Sequence, residues 1–150
     1  MMRKVAIALA SMLAITSAKA TELSLVAHGF SKHIVNHNFN ERDYGAAVRL
    51  EKDDFAIQAG AYRNSFYKDT VYSGVDWSPL HYDLGGCFKL NAGLYAGGAT
   101  GYKYAITPMA GAQAAVKCDN VFVRVRAMPD PFFKSKGVFA VEFGLVLMKF

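Results

Sequence analysis

The sequence has few cysteines, no long apolar run beyond its first twenty residues, and less surplus charge than its formal count suggests. Two cysteines in 150 residues, with no histidine beside them, leave out a thiolate zinc site. No later stretch holds 18 consecutive apolar residues, which leaves out a transmembrane helix. The formal net charge is +5, but Arg3, Lys4 and Lys19 fall in the N-terminal segment; taking these three from the 17 basic residues leaves 14 against 12 acidic. That near-balance gives no reason to expect nucleic acid as a partner. The Gly-rich stretch Gly97–Tyr102 lacks Gly-Lys-Ser/Thr and a following helix, so it reads as a flexible hairpin and not a phosphate loop. His28, His33 and His37 cluster early but without a carboxylate-histidine motif, so no metal is expected there. No cofactor is expected either.

What is present begins with an export signal. Met1-Met2-Arg3-Lys4 is basic, Val5–Ile15 is almost wholly apolar, and Ala18-Lys19-Ala20 has the form of a cleavage site. Residues 1–20 are therefore expected to be a signal peptide, with the mature chain, 21–150, a single domain. That chain alternates apolar with polar residues, is rich in Gly, Ala, Val, Tyr and Phe, and suits strands. It closes on a long apolar stretch, Val138 to Phe150, with an aromatic last residue, the usual ending of outer-membrane barrels.

Alternation and turn residues divide it into eight strands: Leu23–Ile34, Tyr44–Lys52, Phe55–Phe66, Val71–Ser78 ended by Pro79, Gly86–Gly97, Ile106–Lys117, Val121–Met128 and Val138–Phe150. The expected fold is all-β, an eight-stranded antiparallel transmembrane β-barrel in the outer membrane of a Gram-negative bacterium. An even strand number puts both termini on one side, the periplasm. The turns near Asp53 and Asp119 are then periplasmic, and the longer segments Val35–Asp43, Gly98–Ala105 and Pro129–Gly137 face outward. Val121, Val123, Val125 and Ala127 should face lipid, with Phe122, Arg124 and Arg126 in the lumen. Phe55, Ile57, Ala59 and Ala61 should likewise oppose Gln58, Gly60, Tyr62 and Asn64. Arg49, Glu51, Asp76, Arg124 and Arg126 are expected to form a charge-paired filling, and a barrel of this size should have no pore. Cys87 and Cys118 flank the loop centred near Tyr102 at similar distances. An antiparallel hairpin would set them opposite each other, as a disulfide in the oxidising periplasm.

Two hydroxyl contexts stand in the outward half: Tyr62-Arg63-Asn64-Ser65 and Thr100. The succession of His33, Asn40-Glu41-Arg42 with Gly45, Ala61-Tyr62-Arg63-Asn64-Ser65 and Tyr72-Ser73-Gly74 resembles the lipid A palmitoyltransferase (PagP) family. The likeness continues more weakly through Leu94–Gly101, Ile106-Thr107-Pro108 and the terminal strand. The chain is also similar to small PagP-like barrels of phage and proteobacterial genomes. The resemblance implies acyl transfer to lipid A at an extracellular-side site. There His33, or His28 as the alternative base, serves Ser65, and Asn64 stands where the family has Asp. An amide cannot supply the charge that orients an imidazolium, and loss of an orienting carboxylate costs about 10⁴ in rate in a serine-protease triad. The family's N-terminal amphipathic helix has no counterpart, since Thr21–Lys32 reads as strand. Strand parity would also turn Ser65 toward lipid if Asn64 faces the lumen. Gly45, Ala47, Gly60, Gly74, Gly93 and Gly97 fall on the lumen faces; they either leave an acyl-chain slot or let opposite walls pack. Expected partners are outer-membrane phospholipid and lipopolysaccharide, with the barrel-assembly machinery engaging the Phe150 terminus of a monomer. The second expectation is a non-enzymatic surface or structural barrel, such as a phage-borne factor that alters receptor access.

Overall fold

The computed structural model describes residues 20–34, 39–129 and 137–150; residues 1–19 of the expected signal peptide and His37 lie outside them. Eight strands follow one another: β1 (Glu22–His33), β2 (Gly45–Lys52), β3 (Phe55–Arg63), β4 (Asp69–Gly85), β5 (Phe88–Ala99), β6 (Thr107–Cys118), β7 (Val121–Met128) and β8 (Val138–Lys149). Each pairs antiparallel with the next, and β8 returns to pair with β1, closing a barrel with no free sheet edge along the ring. The ends of the described chain meet. Thr21 N donates to Phe150 O at 2.7 Å, and Phe150 N donates back to Thr21 O at 3.0 Å.

The polarity of a soluble barrel is inverted. Around the waist, Leu25, Val48, Val75, Leu94, Val123, Val125, Phe143 and Leu145 point outward and are exposed. Alternate residues of the same strands point inward, and the buried ones are mostly polar: Ser24, Arg49, Gln58, Asp76, Gln113, Arg124, Arg126 and Glu142. Exposed aromatics gather at both rims. Phe30, Tyr44, Phe66, Tyr67, Tyr104 and Phe139 lie at the end with the longer connections, and Phe55, Trp77, Tyr82, Phe88 and Phe150 at the end where the termini meet. An apolar band between two aromatic girdles is the pattern of a barrel standing in a bilayer.

Strand β7 has the expected bounds, and the faces of β3 and β7 separate as the alternation requires. Two boundaries differ in ways that matter. Strand β4 does not stop at Ser78; it continues through Pro79 to Gly85. Proline is tolerated because the β4–β5 register slips between Trp77 and Leu80, and β3 has already ended, its Phe55 pairing with Trp77. Pro79 thus sits in a bulge beyond its former neighbour, where its missing N–H breaks no ladder bond. The β4–β5 hairpin then turns at Gly85 and Gly86, whose φ angles of 93° and 62° favour glycine.

Strand β3 ends at Arg63 and not at Phe66. Asn64, Ser65 and Phe66 therefore belong to the connection, and the parity argument that would turn Ser65 toward lipid does not apply. Inward glycines make room for neighbours. A Cβ at Gly74 would lie 2.5 Å from Tyr95 Cε2, and one at Gly93, opposite the Pro79 bulge, 1.9 Å from Trp77 O. Tyr95 fills the space that Gly74 leaves.

Candidate functional site

The lumen is crossed by one ionic network built from facing strands. Asp76 of β4 accepts from Arg49 Nη1 of β2, from Arg124 Nη1 of β7 at 2.9 Å and from Arg126 Nη2 at 3.0 Å. Glu142 of β8 accepts from Arg124 Nε at 2.8 Å and lies 3.6 Å from Arg126 Nη1. Gln58 of β3 accepts from Arg124 Nη2 and donates to the Tyr72 hydroxyl. Arg49 also donates to Glu51, Nη2 to Oε2 at 2.9 Å. Three guanidinium groups therefore face three carboxylates, each charge partnered, as a buried network must be. The expected set of Arg49, Glu51, Asp76, Arg124 and Arg126 is all present. Gln58 and Glu142 complete it.

From this network a chain of contacts runs toward the loop end. His28 Nδ1 lies 3.4 Å from Glu142 Oε1, and His28 Nε2 lies 2.9 Å from the Tyr72 hydroxyl. The His28, Tyr62 and Tyr72 rings contact one another, with centroids 5.2–5.5 Å apart. Tyr62 and Tyr102 share a hydroxyl hydrogen bond of 2.8 Å. Above them is a cavity of about 60 Å³, lined in part by His28, Ser31, Asp43, Ser65, Tyr102 and Arg126.

The residues singled out in the sequence divide among three places. Ser65 and His28 line the same cavity. His33 is not among its lining residues; its ring stacks on Phe39 at 4.4 Å, and Phe39 meets Phe66 edge-on at 5.5 Å. Asn64 is fully buried and its side chain is fully occupied. Nδ2 donates to Thr70 Oγ1 at 2.9 Å and to Gly101 O at 3.0 Å, while Oδ1 accepts from Phe66 N at 2.9 Å and Lys68 N at 3.0 Å. That uses both donors and both lone pairs of the amide. Asn64 therefore folds the β3–β4 turn and ties it to the β5–β6 connection. Thr100 is also held, its hydroxyl donating to Val71 O at 3.2 Å and accepting from Val71 N at 3.0 Å.

Cys87 and Cys118 form a disulfide, with Cα atoms 4.8 Å apart. Cys118 pairs in register with Phe88 and not with Cys87, so the bridge closes the hairpin one step beyond its last paired residue. Asp119 beside these sulfurs makes no metal site, because neither sulfur is a free thiolate.

Asp43 was missed in the sequence. It lies just before β2, is buried, and its Oδ1 has no hydrogen-bond partner among the described residues; nor has Ser31 Oγ. Burial pushes the Asp43 carboxyl up to about 6, with the nearby Ser31 hydroxyl opposing the rise. Glu142 was missed too. Its signal was legible as the lone acid in the apolar run from Val138 to Leu147.

No protein-family model matches the chain, and no curated protein matches it. Among solved structures, the chain is similar to the Yersinia pestis outer membrane protein Ail in a phospholipid bilayer nanodisc, at 12% identity and a TM-score of 0.43. The match covers 84% of this chain and 99% of that one.

Proposed function

We propose that the chain is a monomeric outer-membrane barrel of a Gram-negative bacterium, closed to solutes, with both termini periplasmic and its working surface at the opposite rim. Its role is non-enzymatic: a surface or structural barrel that changes what the cell presents. The observation that carries this reading is the lumen itself. Arg124 reaches Asp76, Gln58 and Glu142 on three other strands, a side-chain filling across the lumen that favours a closed barrel. Pockets that take a drug-sized ligand run from about 300 Å³ upward, and the cavity at the loop end, at about 60 Å³, is too small for an acyl chain.

Lipid A acyl transfer is the second reading. What favours it is that Ser65 and His28 line one cavity and that His28 has a carboxylate neighbour in Glu142. In that arrangement His28, not His33, is the base, and the orienting acid comes from β8 instead of the residue before the serine. Against it stand the small cavity and the full engagement of Asn64.

Mass spectrometry of lipid A from cells with and without expression separates the two. Unchanged lipid A, together with heat-modifiable protein in the outer-membrane fraction and no conductance in planar bilayers, is the expected result. An added acyl chain that disappears in Ser65→Ala and His28→Ala overturns it in favour of transfer.

A further inference from the structure

Outside the ionic network, one buried carboxylate is left over among the described residues. The three arginines of the lumen are matched by Glu51, Asp76 and Glu142. Asp43 is not part of that balance. Its relative exposure is 8% and that of Ser31 is 2%, and among the described residues Asp43 Oδ1 and Ser31 Oγ have no hydrogen-bond partner beyond the influence of the Ser31 hydroxyl on the Asp43 carboxyl itself. Both residues line the loop-end cavity. Arg126 lines it as well, but its guanidinium is taken by Asp76 and Glu142 and lies over the Tyr95 ring at 4.0 Å.

The same cavity is also lined by aromatic residues. His28, Tyr62 and Tyr72 contact one another, and Tyr102 is tied to Tyr62 through their hydroxyls. Aromatic faces attract cations, most strongly where water is excluded. The carboxylate and hydroxyl oxygens in the same lining add two acceptors for N–H donors.

We propose that this cavity binds a primary ammonium group, with Asp43 Oδ1 and Ser31 Oγ accepting its N–H bonds and the Tyr62, Tyr72 and Tyr102 rings packing around its carbon. A quaternary ammonium matches the rings but leaves both oxygens without a donor, so the acceptors select the primary amine. At pH 7.5 the Asp43 carboxyl, pushed up to about 6, is ionised and supplies the opposite charge. Two sources carry this chemistry: the ethanolamine headgroup of a phospholipid, and a free alkylamine arriving from outside.

The test is a chemical-shift titration of the full folded chain in detergent at pH 7.5 with methylammonium, and in parallel with tetramethylammonium. Methylammonium should give saturable shifts at Ser31, Asp43 and Tyr102, and tetramethylammonium should bind at least about tenfold more weakly. Asp43→Asn, nearly isosteric, should weaken methylammonium at least about tenfold while keeping the heat-modifiable barrel. Ser31→Ala should weaken it by less. Absence of saturable shifts, equal affinity for the two cations, or unchanged affinity in Asp43→Asn overturns the proposal. Repeating the titration in phosphatidylethanolamine and phosphatidylglycerol bilayers separates the sources. Selective blocking by phosphatidylethanolamine assigns the site to a lipid headgroup. Equal binding in both bilayers assigns it to a free amine.

Discussion

Arg124 and Glu142 are register partners across the β7–β8 ladder and also an ion pair, with Nε 2.8 Å from Oε2. The same ladder that closes the barrel thus sets the charge at its centre. Arg124 is turned inward by strand parity, since Val123 and Val125 are exposed on either side of it.

Removing one partner from such a pair leaves a buried charge without compensation. Glu142→Ala should destabilise the barrel by about 3–5 kcal/mol, read as a lower urea midpoint for refolding into lipid vesicles. Asp76→Ala should cost a similar amount, and the double variant less than the sum, because both acids serve Arg124 and Arg126. The Lys32–Glu41 pair provides the contrast. Its side chains are 69% and 43% exposed, and Glu41→Ala should shift stability by less than about 1 kcal/mol. A loss at Glu142 as small as that expected at Glu41, under about 1 kcal/mol, would show that the lumen network carries no stability.

The Asn64 amide makes a second expectation definite. Asn64→Asp would create the Asp-Ser pair that the resemblance to palmitoyltransferases calls for, yet a carboxylate cannot donate to Thr70 Oγ1 or to Gly101 O, both now bonded to Nδ2. The Gly101 carbonyl would face a negative charge. The substitution should cost about 1–3 kcal/mol and leave lipid A unchanged in expressing cells. A gain of lipid A acylation in Asn64→Asp would show instead that the charge missing from the site, and not the cavity, limits transfer.

Period-two alternation was enough to read most of the fold. In β7, where every second residue is Val or Ala, the bounds match the alternation because lipid and lumen impose opposite demands on neighbouring positions. Pro79 misled because its usual meaning, the end of a strand, depends on a neighbour whose N–H partner it would deny. Past Trp77 the β3 neighbour is gone. The site was less legible for a related reason. Asn64 and Ser65 carry a family-like pattern, but their roles depend on where β3 ends and on carbonyls contributed by the distant Gly101. Asp43 had no local signature at all; its isolation follows from which residues the closed barrel sets around it.

The disulfide links residues 31 apart in sequence. In the chain-entropy picture a loop of that size constrains the unfolded state by about 3–4 kcal/mol. Much of the loop is already the β5–β6 hairpin, which forms without the bridge, so the effect should act on the unfolded chain and on refolding. The double variant Cys87→Ser, Cys118→Ser should still yield a heat-modifiable barrel with a lower urea midpoint. Two reactive thiols in protein taken directly from cells, without reductant, would contradict the bridge.

Asp43 makes the stability of the barrel fall as pH rises. Its carboxyl moves from an ordinary 3.8 in the unfolded chain to about 6 in the folded barrel, because burial disfavours the charge. The folded state therefore holds the proton more tightly, and the group adds no penalty below about pH 4, where both states are protonated. As pH rises from about 4 through 6, the folded barrel must ionise a buried carboxyl, and stability falls; above 6 the penalty is complete. Asp43→Asn removes the charge but keeps the shape, and its amide can donate toward Ser31 Oγ. The variant should come close to wild type near pH 4 and exceed it at pH 7.5 by on the order of 2–3 kcal/mol. All other titrating groups are common to the two proteins, so the difference between their urea midpoints, followed from pH 4 to 7.5, isolates Asp43. A variant less stable than wild type at pH 7.5, or a difference that does not change with pH, would show that the carboxylate is already compensated in the folded barrel. Saturating methylammonium should shrink the difference at pH 7.5 by stabilising wild type alone, which ties the stability measurement to the proposed occupant of the cavity.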